Sequence, residues 1–132
     1  MMTNGRTSFP RSVLLIEKDY NLREGLIELL GLADVTCLEA PNGYEGVSLF
    51  ESHQNNIDLV ITDSNLLDKN GAMVVQELEA VRPDVKVVVL SGHDKTQLDF
   101  EFETHPNVIV IQKPFNTFEF LDFVNQQLIY MP

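Results

Sequence analysis

The chain reads as an α/β protein with a five-stranded parallel sheet, doubly wound in (βα)5 order. Three observations predict this. Five apolar runs of strand length recur along the 132 residues, with helix-period segments between or after them. The runs are nearly continuous rather than alternating, as in Leu59-Val60-Ile61-Thr62, which is how strands covered on both faces read. Several runs also stop at a charged or hydroxylated residue, and parallel strands share one carboxyl edge, where such sheets carry their sites.

The first strand covers residues 12–16 and ends in Glu17-Lys18-Asp19. Leu22, Leu26, Leu29 and Leu30 then fall at helical spacing. Asn21 with Glu24 resembles a capping box, and Gly31 stands where a C-cap glycine belongs. Residues 35–38 form the second strand and Pro41-Asn42-Gly43 a turn. Tyr44, Val47, Leu49 and Phe50 mark a shorter helix that fades by His53. The third strand spans residues 57–62, and a loop over residues 66–71 carries the turn signal Asn70-Gly71.

Val74, Val75, Leu78 and Val81 predict a helix that stops before Pro83. Residues 85–90 form the fourth and most apolar strand, broken by Ser91-Gly92. The weakly patterned segment 94–104 is read as helix, although Leu98, Phe100 and Phe102 at every second position also suit a strand. Residues 107–111 make the fifth strand, which Lys113-Pro114 terminates. Phe118, Leu121, Phe123 or Val124, and Leu128 mark the last helix. Residues 1–10 are polar and read as a flexible tail, and residues 11–130 as one domain.

Composition narrows the function. Hydrophobic residues make up 44% and charged residues 22%, as in globular domains. Nine Lys and Arg against twenty Asp and Glu give a net charge of -11, which excludes direct nucleic-acid contact and attraction to an anionic membrane. No apolar run reaches membrane-spanning length, and Met1 to Pro10 lacks a signal-peptide core. The single cysteine, Cys37, cannot form an internal disulfide and sits in an apolar run, which suits a small core residue in a reducing compartment. A cytoplasmic, soluble protein is expected. His53, His93 and His105 show no metal spacing and read as surface or loop residues.

The strand ends bring together Glu17, Lys18 and Asp19, then Asp63 and Asn65, then Ser91 and Gly92, and finally Lys113 and Pro114. Taken alone, Asp63 reads equally as a loop or helix cap. The set as a whole has no cysteine nucleophile, no Ser/His/Asp arrangement and no Cys/His metal spacing. It suits a carboxylate nucleophile, with Asp63 taking a phosphoryl group as an acyl phosphate. Lys113 offers a compact positive charge to the transferred group, the Ser91 hydroxyl can donate to one of its oxygens, and Gly92 allows close backbone approach. A flavin-phosphate site is excluded, because Glu17-Lys18-Asp19-Tyr20-Asn21 carries carboxylates and no glycine to cradle a phosphate.

These residues carry a family resemblance. From Val13 to Leu128 the chain resembles a receiver domain of two-component response regulators. The match lies in Val13-Leu-Leu-Ile-Glu-Lys-Asp19, Asp58-Leu-Val-Ile-Thr-Asp63, Asn70-Gly71, Ser91-Gly92 and Lys113-Pro114-Phe115, in that order and spacing. The resemblance implies a flavodoxin-like fold and a phosphorelay switch rather than an enzyme. It makes Asp63 the phosphoacceptor, Ser91 the hydroxyl that turns to the phosphoryl group and Lys113 the essential lysine, with a cis bond to Pro114. Glu17, Asp63 and the backbone carbonyl of Asn65 would hold Mg2+. A histidine kinase or phosphotransfer protein would be the donor, and an output protein or output domain the reader.

Three positions depart from the family pattern. Lys18 stands where a metal-binding aspartate is usual, so Glu17, Asp63, Lys18 and Lys113 sum to a formal charge of zero rather than -2. Either its ammonium takes the metal position and pairs with Asp63, giving an unphosphorylated pseudo-receiver, or it swings to solvent while Asp19 or water completes a weaker metal site. Val110 replaces the aromatic residue usual three positions before the lysine, and Leu67 a common proline. Phe118 and Phe120 cannot share one helical face, so one of them is expected to be exposed, as suits a partner surface.

Overall fold

A computed structural model describes residues 11–92 and 96–129. The expected tail and His93 lie outside these residues. The strands are β1 (Arg11–Ile16), β2 (Val35–Ala40), β3 (Leu59–Asp63), β4 (Val87–Ser91) and β5 (Val108–Gln112). The helices are α1 (Tyr20–Gly31), α2 (Gly43–His53), α3 (Gly71–Val81), α4 (Thr96–Glu101) and α5 (Thr117–Ile129). All strand pairs are parallel, in the order β2-β1-β3-β4-β5. Strand order reverses between β1 and β3, so the loops that leave them part to opposite faces and open a crevice at their carboxyl ends.

The continuous apolar runs follow from this layering. Alternate residues of each strand feed separate cores. Leu14, Ile16, Val60, Val87 and Val89 pack with Phe50 of α2 and Val74 and Leu78 of α3. Val13, Leu15, Leu59, Ile61, Val88 and Leu90 pack with Leu26 and Leu30 of α1 and Phe120, Val124 and Leu128 of α5. Helix α2 sits close enough to β1 that a Cβ on Gly46 would stand 2.4 Å from Ile16 Cδ1.

Several local expectations are corrected. Helix α1 is capped by Asp19, whose side chain accepts from the Leu22 N–H at 3.1 Å, and not by Asn21. The strand-to-helix connection is short, and an aspartate already at its end is an effective cap. Gly31 remains within the helix, and the left-handed residue is Asp34 at φ 61°, a conformation aspartate tolerates. β2 extends to Ala40, where it pairs with Ile16. Ile57 and Asp58 precede β3; Asp58 exchanges with the Ser12 backbone, accepting from its N–H at 2.9 Å and donating to its carbonyl at 2.8 Å. Segment 94–104 contains the short helix α4, as read. In α5 the inward face is Phe120, Val124 and Leu128. Phe118 is the exposed aromatic, at 74%.

Candidate functional site

Four of the five strand ends supply one group each. Glu17 follows β1 and is fully buried, while Asp63 closes β3 at 2% exposure. Ser91 ends β4, one register step beyond the Leu90 that pairs with Asp63, and is also buried. Lys113 follows β5, where its N–H donates to the Ser91 carbonyl at 2.7 Å. The Lys113–Pro114 bond is cis.

Lys113 Nζ stands 3.1 Å from Glu17 Oε1 and 3.5 Å from Asp63 Oδ1, so one cation serves two buried carboxylates. Glu17 Oε2 accepts from the Asp19 N–H at 3.0 Å. Burial pushes the Glu17 carboxyl above its usual range and the Asp63 charge adds to this, against the opposing Asp19 N–H and Lys113 ammonium.

Lys18 approaches from the β1–α1 loop on the other side. Its ammonium lies 3.2 Å from Asp63 Oδ2 and donates to the Asn65 carbonyl. The contact with Oδ2 is an ion pair without hydrogen-bond direction, and Oδ2 is buried with no hydrogen bond of its own. The Asp63 carboxylate therefore lies between two ammonium groups, one on each oxygen.

The donor set implied for Mg2+ does not fit a divalent cation in this arrangement. The Lys18 ammonium occupies two of its members, Asp63 Oδ2 and the Asn65 carbonyl. Glu17 is taken up by Lys113 and the Asp19 N–H. Asp19, the possible substitute, is committed to capping α1. Among the described residues no three carboxylate, histidine or cysteine side chains group to hold a cation. Mg2+ demands near-ideal octahedral geometry from uncommitted oxygens.

Asp68 was not among the residues the sequence pattern singled out. Its Oδ1 accepts from the Gly43 N–H at 2.9 Å and its Oδ2 from the Tyr44 N–H at 2.8 Å. Asn42 receives the next two α2 donors, Glu45 through its side chain and Gly46 through its carbonyl. Three of the open N–H groups at the start of α2, those of Gly43, Tyr44 and Glu45, are thereby satisfied, two of them from the loop that follows Asp63. Burial pushes the Asp68 carboxyl up, but the Gly43 and Tyr44 N–H groups, its own N–H and the Lys69 charge prevail and hold it below the usual range. Only its residue type marked it, since it lies far from α2 in sequence. The same loop closes on itself through the Gly71 N–H to the Ser64 carbonyl at 2.7 Å and the Asn65–Asn70 bridge.

A cleft of about 290 Å³ opens beside Ser91, between this loop and α4, lined by Asn65, Asn70, Gln97 and Glu101 among others. Val110 is buried in the core beside β4, and Leu67 is 92% exposed at the loop tip. His53 is exposed, and His105 lies 3.0 Å from Glu79. Cys37 is half-buried, and burial followed by the Glu39 charge pushes its thiol up to about 11, away from a nucleophile's range. No helix among the described residues is long and apolar enough to cross a membrane.

Residues 13–125 match the response regulator receiver domain. The chain is 25% identical over 117 residues to the sensor kinase CckA of Brucella abortus, covering 89% of this chain but only 12% of the kinase. It is 23% identical over 120 residues to the receiver protein CpdR of the same organism, covering 90% of this chain and 98% of CpdR. Among solved structures, a receiver domain from Clostridium thermocellum superposes with a TM-score of 0.83 at 22% identity, covering 90% of this chain and 94% of that one. That likeness is one of fold.

Proposed function

The chain belongs to the response regulator receiver family, and on that premise we propose that it accepts a phosphoryl group on Asp63 from a histidine kinase or phosphotransfer protein and relays the change to an output protein or domain. The observation that carries this reading is the setting of Asp63. It is a buried carboxylate at the crevice of a parallel sheet, with an ammonium on each oxygen and Ser91 at the end of the neighbouring strand. In the reaction a carboxylate oxygen of Asp63 forms the bond to phosphorus as the donor nitrogen leaves with its electron pair. Negative charge spreads over the phosphoryl oxygens, and Lys113 is positioned by Glu17 to offset it. Ser91 would donate its hydroxyl to one of those oxygens. The domain acts as a cytoplasmic signalling element rather than an enzyme, and its charge of -11 suits protein partners over nucleic acid.

A second reading, an interaction module that is never phosphorylated, draws its support from one observation. Lys18 sits on the acceptor oxygen and on the Asn65 carbonyl, where the family's metal would bind. Titration with beryllofluoride and Mg2+, followed by amide NMR, separates the two. Saturable shifts around Asp63, Ser91 and Lys113 are expected. A silent native chain beside a responsive Lys18→Asp variant would overturn phosphoryl acceptance in favour of the second reading.

A further inference from the structure

We infer that the Lys18 ammonium replaces the divalent cation, so that Asp63 takes its phosphoryl group without metal. The inference rests on phosphoryl acceptance and specifies what that site requires. Charge is the first ground. With aspartate at position 18, the four side chains Glu17, Asp63, Lys18 and Lys113 would carry a formal -2, which a dication would bring to zero. With lysine they stand at zero already. The substitution adds the same two positive charges that the ion would supply.

Position is the second ground. The ammonium is not free in solvent: it contacts Asp63 Oδ2 and the Asn65 carbonyl together. Asp63 Oδ2 is buried without a hydrogen bond, so the Lys18 charge is what compensates it. Lys18 and Lys113 then flank the acceptor on opposite oxygens, as a pair of cations must to neutralise charge spread over an incoming phosphoryl group. Asp19, which a metal would need in place of the missing ligand, is held by α1.

An ammonium differs from a metal in ways that can be read out. It has three donors and no fixed coordination number, so it can turn from the Asn65 carbonyl to a phosphoryl oxygen without losing a ligand. Its contribution is insensitive to chelators.

The test uses the whole chain. Beryllofluoride is titrated in buffer freed of divalent cations and again with Mg2+ added, with amide NMR as the readout. Separately, phosphoramidate is supplied with EDTA and the intact mass is measured. In that reaction an Asp63 oxygen bonds to phosphorus, the P–N bond breaks, and its electron pair leaves on ammonia. The native chain is expected to bind beryllofluoride within about twofold with and without Mg2+, and to gain one phosphoryl group in EDTA, because Lys18 is a covalent part of the site that a chelator cannot remove. Lys18→Met is expected to lose at least about tenfold in metal-free binding, the scale of a lost charge-assisted hydrogen bond. Lys18→Asp is expected to bind only with Mg2+. Lys18 lies at the surface, so retention of the native amide dispersion shows that both variants fold. A native chain that responds only with Mg2+ overturns the inference and leaves phosphoryl acceptance standing. A native chain silent under both conditions, beside a responsive Lys18→Asp, overturns both.

Discussion

The two lysines that meet Asp63 are built in different ways, and the contrast separates what holds the site from what sets its chemistry. Lys113 emerges from a strand end, with its backbone bonded to β4 and its ammonium shared by two buried carboxylates. Lys18 comes from a loop, its side chain is 36% exposed, and it meets a carboxylate and a backbone carbonyl. Charge removed from the buried side strands partners that cannot reach water. Charge removed from the open side vacates a position at the surface, which water can fill.

The largest expected effect follows from that asymmetry. Lys113→Met should cost about 2–3 kcal/mol, less than a fully buried pair because its side chain is partly exposed, and should abolish beryllofluoride binding. Urea unfolding, with its midpoint and slope recorded, measures the first, and the NMR titration the second. A loss under about 1 kcal/mol would mean that Glu17 simply protonates when its cation goes.

Glu17 gives the next test of the same side. Its folded carboxyl titrates above the ordinary value of 4.5, with burial the leading cause. In the window above 4.5 the unfolded chain loses this proton first, so the unfolded state binds fewer protons and stability falls as pH rises. Against a Glu17→Gln control, the native chain should lose relative stability from pH 4.5 upward. Unfolding at a series of pH values checks the sign. A relative gain would mean that the Lys113 charge outweighs burial and the carboxylate is held ionised.

On the loop side the anchor is Asp68. Asp68→Ala removes two acceptors from the α2 N-terminus and should cost about 1 kcal/mol, the scale of a helix cap. It should also speed hydrogen exchange at residues 65–70, because the loop carrying Asn65 loses its tie to α2. Unchanged exchange there would show that the Gly71–Ser64 bond and the Asn65–Asn70 bridge hold the loop unaided.

The strand-built side was legible in the sequence and the loop-built side was not. Apolar runs ending in Glu17, Asp63, Ser91 and Lys113 located those residues at one edge, because strand direction and parallel pairing fix where a run stops. The helix ends were harder to read. Asp19, not Asn21, caps α1, and Asp34, not Gly31, takes the left-handed turn, since several adjacent residues could serve and a single hydrogen bond decides between them. Which of Phe118 and Phe120 faces inward stayed open, because an aromatic run offers two helical faces and only packing against β4 and α1 selects Phe120. Asp68 was invisible because its partners, Gly43 and Tyr44, are joined to it by the fold and not by any local pattern. The ambiguity of Lys18 was legible; its resolution required the position of the Asn65 carbonyl.

The smallest expected effect on stability is the most informative about chemistry. Lys18→Met should change the unfolding free energy by less than about 0.5–1 kcal/mol, since its ion pair is open to solvent on one side. Set beside Lys113→Met, this divides the site cleanly: the same loss of one positive charge next to Asp63 would unfold one variant readily and leave the other nearly as stable as the native chain. A Lys18→Met cost approaching that of Lys113→Met would erase the contrast. It would mean that Asp63 Oδ2, buried and without a hydrogen bond, depends on Lys18 as fully as Glu17 depends on Lys113, and that the open cation is a structural part of the core edge. Thermal and urea unfolding of the two variants at one pH and ionic strength, repeated at high salt, decides between these. Screening should further shrink the Lys18 difference while leaving most of the Lys113 difference in place.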